Sequence, residues 1–253
     1  MTNEHEAKVK TTKTITEILR VIQKNSGLTA SEIANELNMA NSSVHDHVKT
    51  LLHEGYLVES DHKYDISLKF LDHGVYAKNN IKVCSIAQPI LQQLAEETGE
   101  AVWLIVEEHG QAVYIDKAIG ENAVPTTGRI GHRTYLHCLS GGKCILAEFD
   151  SVRLEQVIAR HGLSPQTKHT ISSEEELRIE LDKVRDQGFA YNDGEEVEGV
   201  RAVGTAIVCH GSVIGAISVS GPATRLKESW YRDDLPELII DAANTIQLKM
   251  EYD

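Results

Sequence analysis

The feature that most constrains this chain is a run of three short amphipathic stretches within about forty residues near its start. Ile15, Ile18, Leu19 and Ile22 fall at i, i+3, i+4 and i+7, the stripe of a helix over residues 12–25, and Asn25-Ser26-Gly27 ends it. Thr29-Ala30-Ser31-Glu32 then forms a capping box, in which hydroxyl and carboxylate satisfy reciprocal backbone donors. It opens a second helix that buries Ile33, Ala34 and Leu37. A third helix, capped by Asn41 or Ser42, carries Val44, Val48, Leu51 and Leu52 inward and ends at Gly55.

Tyr56-Leu57-Val58 and Tyr64-Asp65-Ile66, on either side of a polar turn, read as a small hairpin. Helix, helix-turn-helix and hairpin in that order make a winged helix. Such a helix fits the major groove of DNA, its first turn presents N–H groups and short polar side chains, and the hairpin reaches flanking backbone. The third helix leaves Ser42, Ser43, Asp46, His47 and Lys49 outward. Three-helix domains of this pattern also serve as protein-binding modules, so the pattern leaves both readings open.

Residues 68–80 read as a connecting helix with Leu68, Leu71, Val75 and Tyr76 on one face, and 81–98 as another helix. Beyond Gly99 the period changes to two. Strands are expected at 101–106 and 112–119, helices at 141–148, 151–160 and 173–187, strands at 202–209 and 212–220, and a last helix at 234–249. Antiparallel hairpins interleaved with helices indicate an α+β fold.

At 253 residues, 41% of them hydrophobic, the chain can bury two cores of ordinary size. The first residues lack the apolar segment of a signal peptide, and no window approaches the roughly 20 apolar residues of a membrane span. A cytoplasmic protein without membrane attachment is expected. Cys84, Cys138, Cys144 and Cys209 show no CxxC spacing, which suits reduced, buried thiols.

The sequence resembles the IclR family of transcriptional regulators over nearly its whole length. In the N-terminal part the resemblance rests on Leu28-Thr29-Ala30-Ser31-Glu32-Ile33-Ala34, Asn41-Ser42-Ser43-Val44-His45, Thr50-Leu51 and Gly55-Tyr56-Leu57. Farther on, Leu136 to Ala147 is similar to the family's LHxxxxGKxxLA block and Gly188 to Glu196 to its GYxxDxEE block. Gly199-Val200-Arg201-Ala202-Val203 and Ala216 to Pro222 follow in the expected order. The resemblance implies a winged-helix domain over residues 1–67, a linker helix over 68–80 and a GAF-like effector-binding domain over 81–253. It also implies partners: double-stranded operator DNA, a small-molecule effector such as a carboxylate or sugar acid, and further copies of the chain in a homodimer or homotetramer. No cofactor is expected.

Two positions depart from the family pattern. Asp46 stands where Arg is commoner, so Lys49 is the sole fixed cation of the third helix. An Asp can accept from cytosine N4 but cannot hold phosphate, which shifts that work to Lys10, Lys13, Lys63 and the histidines His45 and His47. Asn192 stands at an acidic position of the GYxxDxEE block.

By the same resemblance the effector pocket maps onto Thr126, Thr127, Gly128, Ser140, Gly141, Asn192, Asp193, Ala202, Ser218 and Ser220. Ser140-Gly141-Gly142 opens a helix whose free N–H groups favour an anion, and Ser218 and Ser220 alternate onto one face of a strand. The plainer alternative is that these glycines turn the chain and these serines satisfy local backbone.

His132, His137, Cys138 and Cys144 raise a metal- or redox-sensing alternative, although their spacing matches no standard zinc site. An enzyme on the same domain is the other alternative, yet no GxSxG, Walker or HExxH pattern occurs, and His137 beside Cys138 is adjacent only in sequence. The expectation is therefore a regulator without catalytic residues.

The net charge of −13 is uneven. Residues 1–82 hold 10 Lys/Arg against 11 Asp/Glu, and residues 83–253 hold 15 against 27. A DNA-binding domain that is not basic gains little from counterion release, and an acidic surface helps a protein stay soluble in concentrated salt. Both features point to a halophilic source such as an archaeon.

Overall fold

The computed structural model describes residues 9–124 and 128–252, which divide into two units at Ala77 and Lys78. Each has its own core.

In the first unit, α1 (Lys10–Asn25), α2 (Ala30–Leu37) and α3 (Asn41–His53) enclose Ile18, Ile22, Ile33, Val44, Val48 and Leu51. The Thr29 hydroxyl accepts from the Glu32 N–H, and the Glu32 carboxylate accepts from the Thr29 N–H at 2.8 Å, so the capping box is formed. The cap of α3 differs from expectation: the residue before the helix is Ala40, in extended geometry, and no side chain caps it. Asn41 is already helical and its amide donates instead to the Ser31 hydroxyl, tying α3 to α2.

The wing consists of β1 (Leu57–Ser60) and β2 (Lys63–Ile66), antiparallel with Ser60 opposite Lys63. Asp61 and His62 both have positive φ, which matches the twist of a two-residue hairpin turn. The helix expected over 68–80 is α4 (Lys69–Asn79). Leu68, Leu71, Val75 and Tyr76 are all solvent-exposed.

In the second unit, α5 (Lys82–Thr98) precedes β3 (Ala101–Glu108), β4 (Gln111–Ile119) and β5 (Arg133–Tyr135). A 3-10 turn at Leu136–Cys138 leads into α6 (Ser140–Ala147), α7 (Ser151–His161) and α8 (Glu174–Gln187). The order continues with β6 (Ala190–Asp193), β7 (Val200–Cys209), β8 (Ser212–Pro222), a π-helical turn at Trp230–Asp234 and α9 (Leu235–Tyr252). Both long hairpins turn on His-Gly pairs with positive φ, His109-Gly110 and His210-Gly211. Two short strands escape the periodicity argument, β5 and β6, because three or four residues are too few to show a period.

The six strands form one antiparallel sheet in the order β5-β4-β3-β8-β7-β6. Alternation divides each strand between two cores. Val102, Leu104, Val203, Ile207, Ile217 and Val219 pack with α5 and α9, whereas Ala101, Trp103, Ile105, Tyr114 and Ala216 pack with α6 and α8. The fold is thus α+β, a winged helix followed by a domain in which one antiparallel sheet is covered by helices on both faces.

Candidate functional site

The first unit presents its polar residues at the start of α3. Ser42, His45, Asp46 and Lys49 are exposed, as are Lys10 and Lys13 on α1 and Lys63 on the wing. Ser43 and His47 are half-buried, contrary to the outward placement expected for them. The reason is angular: Val44, Val48 and Leu51 fix the inward face, and positions 43 and 47 lie at its edge, one turn apart. Ser42 and His45 line a shallow groove together with Thr29, Ser31, Asn41 and His62, so both helix starts and the wing turn meet there. His62 was missed because a turn residue carries no periodic signal.

The second unit holds a cavity of about 250 Å³ on the α6 face of its sheet. Sheet register explains which distant residues meet. One row across the strands reads Asn192, Ala202, Ser220 and Ala101, and the next reads Ala190, Gly204, Ser218 and Trp103. Asn192, Ala202, Ser218, Ser220, Gly128 and Ser140 all line the cavity.

Gly141 and Asp193 do not line it. Gly141 abuts the backbone of Gly204, and a methyl group on it would press on Ile105 and Ala216, so its role is close approach of α6 to the sheet. Asp193 faces outward, where its carboxylate accepts two hydrogen bonds from Arg201 at 2.8 and 2.9 Å, holding it below the usual carboxylate range. Thr126 and Thr127 lie outside the described residues.

The remaining walls were not read from the sequence. Trp103 and Tyr114 meet edge to face with ring centroids 4.9 Å apart, and His132 stacks on Tyr114. The Trp103 indole N–H donates to the Ser220 hydroxyl at 3.1 Å, and the Tyr114 hydroxyl donates to Glu196 at 3.2 Å. Burial raises the Glu196 carboxyl above its ordinary value, opposed by hydrogen bonds from Tyr114 and Thr134. Aromatic residues on strands are ordinarily core, so only register could show them at a cavity.

Beside the cavity, Lys143 is 1% exposed and donates to Glu180 at 2.9 Å and Glu195 at 2.7 Å. The pair with Glu195 fastens the 194–199 turn, which carries Glu196, to α6.

The residues of the metal or redox alternative are engaged elsewhere. The Cys138 and Cys144 thiols donate to the carbonyls of Tyr135 and Gly204, and a ring nitrogen of His137 lies 3.3 Å from the Ser164 carbonyl. Burial pushes both thiols up to about 12, far from the thiolate range. Among the described residues no three His, Cys, Asp or Glu side chains are grouped to hold a metal ion, and no helix is long and apolar enough to cross a membrane.

Residues 75–248 match the sequence profile described as bacterial transcriptional regulator IclR C-terminal, and residues 11–58 match a winged helix-turn-helix DNA-binding profile. The chain belongs to the IclR family. Among curated relatives of this IclR-family chain, a probable HTH-type transcriptional regulator ArcR from Halobacterium salinarum is 31% identical, covering 93% of this chain and 91% of its own. Among solved structures, the Thermotoga maritima IclR superposes with a TM-score of 0.78 at 30% identity, covering 95% of this chain and 98% of that one. An IclR homolog from Microbacterium hydrocarbonoxydans, complexed with 4-hydroxybenzoate, has the same fold with a TM-score of 0.81 at 21% identity over 96% of this chain and all of that one. These relationships make the IclR-family chain a DNA-binding transcriptional regulator with an effector domain, not an enzyme.

Proposed function

We propose that this regulator reads operator DNA with the start of α3 and the wing, and that the cavity of the second unit senses a small organic acid. The cavity itself carries the reading. It is mostly apolar, walled by two aromatic rings, and its polar groups converge from β6, β8 and the first turn of α6. No side chain caps α6, whose first residue Ser140 lines the cavity, so a carboxylate bound there meets the positive end of the helix with the hydroxyls of Ser140, Ser218 and Ser220 beside it. A cavity of this size suits a ligand with a single ring or a six-carbon chain. The 4-hydroxybenzoate held by the Microbacterium homolog is of that size.

Ser42, His45, Asp46 and Lys49 read the groove in this proposal, with Lys10, Lys13, Lys63 and His62 on the backbone. The chain acts as a homodimer, or a homotetramer of two such dimers, which matches a two-fold operator. The apolar row Leu68, Leu71, Val75 and Tyr76 supports this, because an exposed stripe at helical spacing is stabilised by a second copy. The effector acts by binding one spacing of the paired winged helices better than another.

The test has two parts. Sequencing DNA bound by the chain in its native cells should recover two-fold symmetric sites, and organic acids should raise its melting temperature and change its affinity for those sites. Acids that leave both melting and DNA affinity unmoved would refute the sensing role.

A further inference from the structure

We infer that Glu196 selects the effector, admitting a hydroxylated monocarboxylate and rejecting the matching dicarboxylate. This rests on the cavity being the organic-acid site proposed above. Among the described lining residues the cavity has one carboxylate, Glu196, one imidazole, His132, and neither lysine nor arginine.

A space of about 250 Å³ is about 8 Å across if spherical, no more than the screening length of roughly 8 Å at physiological ionic strength. A second carboxylate on the ligand therefore cannot escape Glu196. It adds like-charge repulsion in a poorly solvated space and, being ionised, has no proton to donate. A ligand hydroxyl does the reverse. The Tyr114 hydroxyl donates to Oε2 of Glu196, and the carboxylate retains capacity to accept another donor. Specificity then comes from a repulsive element as much as from an attractive one.

The experiment is calorimetric titration of the full chain with pairs that differ only at the far end. Gluconate and glucarate form one pair, 4-hydroxyphenylacetate and 4-carboxyphenylacetate the other. In the pair whose body fits, the hydroxylated acid should bind at least about tenfold more tightly, and Glu196→Gln should collapse that ratio by strengthening the dicarboxylate.

Should the variant fail to fold, 4-carbamoylphenylacetate tests the same charge on the wild-type chain, because its amide has the shape of the carboxylate and can donate. It should bind at least about tenfold better than 4-carboxyphenylacetate. Dicarboxylates that bind as well as their partners, or a ratio unmoved by Glu196→Gln in a folded variant, overturn the selection while leaving the acid site standing. If neither pair nor the amide binds, the acid site itself fails and the selection falls with it.

Discussion

The side-chain amide of Asn192 donates to the backbone carbonyl of Cys138 at 2.5 Å, while its Oδ1 accepts from the N–H of Glu195 at 3.0 Å. One residue thus ties the turn before α6 to the turn that carries Glu196. It does so with both ends of an amide, and a carboxylate has no donor for the first contact. Asn192→Asp should destabilise the second unit by about 2 kcal/mol, the cost of facing two buried acceptors at each other. Urea denaturation should show a lower midpoint with an unchanged slope; equal midpoints would remove the tether from the account.

Lys143 has a comparable role through charge. Lys143→Met leaves Glu195 and Glu180 without their cation and should cost about 3 kcal/mol at neutral pH, near the lower end for broken buried pairs because Glu180 is 23% exposed. Burial already raises Glu195 above its ordinary value despite Lys143. Without Lys143 that rise is larger, so above the ordinary value of 4.5 the folded variant binds more protons than the unfolded chain, and its deficit should shrink as pH falls towards that value. A deficit that does not change with pH would exclude Glu195 as its source.

Glu196 gives a separate pH signature. Its raised carboxyl means that the folded chain binds more protons than the unfolded chain above the ordinary value of 4.5, so stability falls as pH rises through that window. His137 acts with the opposite sign, since burial lowers its pKa and its part of the stability is lost as pH falls through the window below 6.5. Subtracting the profile of Glu196→Gln from that of wild type isolates the first effect. A flat difference from pH 4.5 upward would show that Glu196 titrates normally.

On DNA, Ser42→Ala and His45→Ala should each weaken operator affinity by about tenfold, within the 1–3 kcal/mol of a base contact, and leave melting unchanged. Ser43→Ala and His47→Ala, at half-buried positions, should do less. Gel-shift titrations on sites recovered from cells would compare them, and the reverse order would move the reading face round the helix.

Four lysines, Lys10, Lys13, Lys49 and Lys63, bound the salt effect. The logarithm of affinity should fall with the logarithm of salt no more steeply than about −4 per protomer, and Lys49→Ala should reduce the slope by about 1. A near-neutral DNA-binding segment under an acidic chain fits work in concentrated salt. A steeper slope would contradict both.

The first unit was largely legible in the sequence. A capping box, a 3.6-residue stripe and a polar turn are local, so Thr29 with Glu32, the buried row Val44, Val48 and Leu51, and the wing follow from neighbours in the chain. The strands of the wing nevertheless run on to Ser60 and Lys63 and leave only Asp61 and His62 as the turn. The family blocks likewise located α6 and the strands around it. Within the cavity the family resemblance pointed to Gly128, Ser140, Asn192, Ala202, Ser218 and Ser220, but it assigned Gly141 and Asp193 there as well, and it did not point to Trp103, Tyr114 or Glu196.

The difference lies in where each residue's environment is decided. Periodicity reports which face of an element is apolar, and that is set by residues a turn or two away. Whether an apolar face meets a core or a cavity, and whether a polar side chain meets a ligand or a backbone carbonyl, is set by contacts across the sheet. Asn192 reaches Cys138, Trp103 reaches Ser220 and Lys143 reaches Glu195 only after six strands have taken their register and glycine at 141 and 204 has let α6 descend onto them. The chain alone determined the two domain types and their chemistry. Tertiary structure decided which carboxylates face the cavity and which are occupied in holding its walls.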